Sequence, residues 1–108
     1  MASYLFEVSY TPAALAALIA NPQDRTKIVG ASVKKLGGKM TGFWFAFGDA
    51  DVIGLIEMPD NVSMAALALA IGAGGACSKV KTTPLMSIAE GIEAMKKAST
   101  SGYKPVTG

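Results

Sequence analysis

Glu7 and Glu57 are the two acids that fall inside alternating, apolar stretches, and their setting is where chemistry can begin. Two carboxylates held together away from water cannot both ionise easily, so one keeps its proton and the pair can serve as acid and base. The plainer alternative is pairing with a lysine, for which Lys79 or Lys81 stands ready. Asp51, in a glycine-led turn, is the third candidate acid. Little else of the usual apparatus is present. The chain has no histidine, which removes the commonest general base, the usual haem and zinc ligand and the histidine-assisted nucleophiles. A single cysteine, Cys77, makes neither a structural zinc site nor a cluster site, so no metal and no cofactor is expected. Cys77 reads as a small core residue in a reducing compartment, not as a nucleophile. Gly72-Ala73-Gly74-Gly75 follows a helix and precedes a strand, the reverse of a phosphate cradle, and reads as a helix stop.

The remaining functional candidates are aromatic. Phe43, Trp44 and Phe45 stand in one strand, where with Tyr4 or Leu5 they can line an apolar ligand site or an interface. Tyr103, in a polar tail, is expected to dock on its own or a neighbouring subunit. Of the 108 residues 51% are hydrophobic and 17% charged, which excludes a disordered chain and leaves little charge to cover a small surface. A partner copy of the same chain is the expected cover. The net charge is +2 and the lysines are scattered, so nucleic acid is not an expected partner. The longest uncharged apolar stretch, 64–77, is too short and too glycine-broken to span a bilayer. With no secretory signal at the start, a cytoplasmic protein is expected.

These residues must be placed by short elements. Ser3 to Tyr10 alternates as a strand, with Tyr4, Phe6 and Val8 on a helix-covered face and Leu5, Glu7 and Ser9 opposite. Thr11-Pro12 opens an alanine-rich helix to Ala20, and Asn21-Pro22 is expected to open a second helix to Leu36, with Asp24 in its first turn. Lys39 to Phe47 reads as an aromatic strand, with Phe43, Phe45 and Phe47 alternating against Met40 and Trp44. A turn at Gly48-Asp49-Ala50-Asp51 leads into a returning strand, Val52 to Met58, carrying Ile53, Leu55 and Glu57 on one face. Asp60 caps a helix to Ala73, Ala76 to Thr83 is a weaker strand, and Ser87-Ile88-Ala89-Glu90 is a capping box for a last helix. The order is a βαββαβ, split βαβ, ferredoxin-like α+β fold with a split first helix and an extra C-terminal helix. Strands one and three belong in the centre. One domain is expected over residues 1–99, followed by a tail over 100–108.

Phe47-Gly48-Asp49-Ala50-Asp51-Val52, then Ile56-Glu57-Met58-Pro59-Asp60 and an alanine-leucine helix, resembles the GYD domain family of small bacterial proteins. Thr11, Arg25, the Leu36-Gly37-Gly38 stop and the Gly-Tyr-Lys-Pro tail agree with that pattern. Where the family's name points to Gly-Tyr-Asp, this chain reads Gly48, Asp49, Ala50, Asp51, with Ala50 in place of the aromatic. The resemblance implies a ferredoxin-like domain that assembles as a dimeric α+β barrel, and it supplies no reaction. The function expected is therefore a homo-oligomer that binds a small, partly apolar molecule, either as a binding protein or as a cofactor-independent enzyme. The alternative is a non-catalytic interaction protein whose apolar face serves assembly alone.

Overall fold

A computed structural model describes residues 1–107 and shows eight elements, β1 (Ala2–Tyr10), α1 (Pro12–Ala20), α2 (Thr26–Lys35), β2 (Lys39–Phe45), β3 (Val52–Met58), α3 (Asn61–Ala73), β4 (Cys77–Leu85) and α4 (Ile88–Ala98). Local chemistry explains most of their limits. The Thr11 hydroxyl accepts the Ala14 N–H at 3.1 Å, and Pro12 fills the first helical position where no donor is needed. The Asp60 carboxylate accepts the Ser63 N–H at 2.8 Å. Ser87 and Glu90 cap each other's backbone N–H, both at 3.1 Å. After α2 the chain leaves through Gly37, at φ +87°, a conformation glycine takes without penalty. The Gly38 N–H then reaches back to the Val33 carbonyl at 3.0 Å, and that of Gly37 to Lys34 at 3.0 Å.

The second helix starts later than the Asn21-Pro22 pair suggests. Asn21 instead ends α1, its N–H donating to the Ala17 carbonyl at 2.9 Å. The Asp24 side chain, expected within the helix, accepts the Thr26 N–H at 2.9 Å and closes a local turn that competes with helix. Residues 21–25 are therefore a connection, and Arg25 flanks α2.

The four strands form one antiparallel sheet in the order β2-β3-β1-β4, with the first and third strands central as expected. The fold is ferredoxin-like α+β. Tyr4, Phe6 and Val8 of β1 and Val52, Ile56 and Met58 of β3 are buried beneath Val33 of α2 and Met64 and Leu67 of α3. Each large side chain removed from water in this way contributes roughly 2 kcal/mol. The buried Tyr4 keeps its hydroxyl satisfied by donating to Asn61 Oδ1 at 2.5 Å.

β2 departs from simple alternation. Its register against β3 shifts between Met40 and Gly42, so Thr41 is an extra residue. Met40 pairs with Ile56, Phe43 with Gly54 and Phe45 with Val52, which sets all three on the helix side. Met40 thus joins Phe43 and Phe45, and Trp44, paired with Ile53, is the one large apolar residue of β2 on the open face. The strand also ends at Phe45, two residues before the expected limit. No helix among the described residues is long and apolar enough to cross a membrane.

Candidate functional site

The helices do not close over the sheet evenly. Nine-residue α1 is built from alanine with Leu15, Leu18 and Ile19, and it buries no residue. Ala14 and Ala17 are too short to reach the sheet, and Ala70, Gly74 and Ala76 thin the opposite wall. What remains between helices and sheet is a cavity of about 710 Å³. Its floor is the helix-facing row Phe6, Val8, Phe43 and Val52, and Val29, Leu36, Leu67 and Ile71 supply much of its roof.

One end of this chamber is polar. Tyr10 and Cys77 occupy the same register position on β1 and β4, and Arg25 enters from the connection before α2. The Arg25 guanidinium donates to Gln23 Oε1 at 3.1 Å, and both residues line the cavity. Burial pushes the Tyr10 phenol above its usual range; the neighbouring Cys77 adds to that, Arg25 draws it back, and Asp51 raises it slightly. Burial, with a further push from Asp51, likewise raises the Cys77 thiol. Both groups therefore stay protonated near neutrality. They are hydrogen-bond donors there, not nucleophiles. The arrangement can hold and polarise an acceptor group at one end of an apolar body.

The sequence-derived candidates scatter around this chamber. Phe43 lines it. Phe45 lines a smaller neighbouring cavity of about 390 Å³, together with Asp51, Leu18 and Phe47. Asp51 has a structural duty: its Oδ2 accepts the Tyr10 N–H at 2.8 Å, and its own N–H donates to the Val8 carbonyl at 2.8 Å. It fastens the hairpin loop to the end of β1. Trp44 lies on the open face, 53% exposed, with its indole over Gly42, where a Cβ would run into the ring. Tyr103 is exposed in the tail and borders neither cavity.

The two glutamates do not meet. Both lie on the open face, as parity predicts, but Glu57 pairs with Ser3 while Glu7 pairs with Ile53. Four positions of register separate them, about 14 Å along the strands. Glu7 stands opposite Lys81, and Glu57 opposite Lys39. No shared-proton pair can form at that distance, and neither side chain borders the helix-side chamber. A lysine as cross-strand neighbour was the plainer alternative, and the register favours it.

The polar residues that do converge, Tyr10, Arg25 and Cys77, form a group that sequence reasoning misses. Their signal is present only in part. Tyr10 shares the parity of Phe6 and Val8, but its pairing with Cys77 depends on a register shift between Ser9 and Tyr10. Among the described residues no three of His, Cys, Asp or Glu gather as a metal site.

The fold and this chamber define a small ferredoxin-like α+β protein with a hollow between its sheet and its helices. The family model of the GYD domain matches residues 4–95, and the chain belongs to that family. A solved structure with a similar fold is that of TTHA0845 from Thermus thermophilus, at a TM-score of 0.54 and 11% identity, covering 81% of this chain and 95% of that one. At that identity the likeness concerns the fold. No curated protein matches the chain.

Proposed function

We propose that this GYD domain binds a small, partly apolar molecule in the chamber between helices and sheet. The observation that carries the reading is the chamber itself, about 710 Å³ of largely apolar space with Tyr10, Arg25 and Cys77 among its lining residues. That combination of an apolar body and a few convergent polar groups is the ordinary form of a small-molecule site. Phe43 is the contact foreseen from the sequence, and Tyr10, Arg25 and Cys77 join it. Any catalysis there is cofactor-independent and rests on polarisation by Tyr10 and Arg25, since the Glu7–Glu57 pair is not assembled.

The working form proposed is a homo-oligomer. Leu5, Ile53 and Leu55 form a half-buried apolar patch on the open sheet face, with Trp44 beside them, and a second copy is the natural cover for it. The patch alone would also suit an interaction protein that binds nothing. The chamber, which lies on the other side of the sheet, is what favours ligand binding. The lone Cys77 suits a reducing, cytoplasmic setting.

Native mass spectrometry of freshly purified protein tests both parts. The reading expects a small molecule retained at one per chain, or uptake of an added apolar alcohol to that ratio, in an oligomer. A chain that purifies empty and takes up no such probe would leave only the assembly role.

A further inference from the structure

The charge of the ligand can be read from what the chamber lacks. Arg25 and Lys35 line it, Tyr10 and Cys77 add donors, and no Asp or Glu is among its lining residues. Among the described residues the ion pair found is Glu93–Lys96 at 4.0 Å, on α4, and none of their carboxylates pairs with Arg25. Its one side-chain hydrogen bond goes to the neutral amide of Gln23. Asp24, next to Arg25 in the chain, accepts the Thr26 N–H, Asp51 accepts the Tyr10 N–H, and neither lines the chamber. Lys35 stands about ten residues along α2 from Arg25, roughly 15 Å away, and is exposed. The cation that lies next to the donors is Arg25.

We infer that the chamber selects an amphipathic anion, with a carboxylate or similar acidic head at Arg25 and Tyr10 and an apolar body over Phe43, Leu67 and Ile71. This rests on the reading of the chamber as a ligand site. A guanidinium meets such a head with two parallel donors, the protonated phenol supplies another, and the apolar surroundings strengthen each bond. A cationic head would instead face an uncompensated positive charge.

Three probes of one body and different charge separate the possibilities: octanoate, octan-1-ol and octylammonium, titrated at pH 7.5 and followed by the methyl NMR signals of Leu18, Leu67 and Ile71. The expected order is octanoate first, at least about tenfold tighter than octan-1-ol, with octylammonium weakest. Arg25→Gln should remove most of the octanoate advantage while leaving octan-1-ol binding as it was. Lys35→Gln should change the ratio by less than about threefold. Equal binding of all three probes would overturn the charge selection and leave the chamber as a site. A failure of every probe to move those methyl signals would overturn both. An advantage that survives Arg25→Gln would overturn the placement of the head.

Discussion

Tyr10 and Cys77 show how two ordinary side chains acquire character from their surroundings. Both are partly buried beside each other, and the Asp51 carboxylate raises both of their pKa values. Alkylation of Cys77 by iodoacetamide should therefore show a pH midpoint above the usual thiol value. Asp51→Asn removes a negative charge, which makes the thiolate easier to form, so that midpoint should move to lower pH. An unchanged midpoint would show that Asp51 exerts no field on the thiol. The same substitution keeps an acceptor for the Tyr10 N–H, which separates the charge effect from loss of the loop. Tyr4 provides a second check at this scale. Its hydroxyl bonds to Asn61 from within the core, so Tyr4→Phe should cost about 1 kcal/mol in denaturant unfolding. A cost near zero would mean that water serves the hydroxyl equally well.

Among the elements, the tightest junction is where α2 turns into β2. A Cβ on Gly38 would collide with the Glu57 carbonyl and the Met58 sulfur, and would press on Val33 at 3.1 Å. Gly38→Ala should cost about 1–3 kcal/mol, the usual penalty of overpacking, read as a lower denaturant midpoint at unchanged slope. Wild-type stability in that variant would mean that the β2–β3 pair can slide apart at little cost. The elements also divide what the sequence makes legible from what it does not. Thr11-Pro12, Asp60 and Ser87/Glu90 act within four residues, so their caps could be read directly. Asn21-Pro22 carries the same kind of cap signal, but Asp24 closes a turn onto Thr26 first, and one local bond competes with another. Thr41 was beyond reach for a different reason. A bulge belongs to a pair of strands, and nothing within β2 marks the extra residue that puts Met40 beside Phe43. The Glu7–Glu57 pair failed likewise: parity gave the right face, and register, a long-range property, set them four positions apart. The chamber is harder still to foresee, since it is volume left by alanines on α1 that do not reach across.

The whole chain is longer than its mass requires. Its radius of gyration is 17.3 Å and its extents are 56 × 38 × 22 Å, whereas a compact chain of this length has a radius of about 13 Å. The C-terminal helix α4 buries no residue. Its stripe of Ile88, Ile92 and Met95 is exposed, at 83%, 47% and 72%. Together with the open sheet face this leads us to expect an oligomer: light scattering at micromolar concentration should give at least twice the 11.1 kDa chain mass. A stable monomer would remove that expectation. Tyr103 is 76% exposed, and its backbone N–H bonds to the nearby Ser101 hydroxyl, at 3.2 Å. Truncation after Ser99 should thus leave the melting temperature of a single subunit unchanged, and any loss on truncation would locate the tail in a contact between copies. The isolation of α4 has a thermodynamic consequence. Eleven residues, even with a capping box, make a helix that is marginal in water without tertiary support. If copies of the chain supply that support, folding of α4 is linked to association and obeys mass action. Circular dichroism would then lose a helical contribution on dilution while the sheet signal persists, so the helix content of the sample would itself be a measure of how much of the protein is assembled.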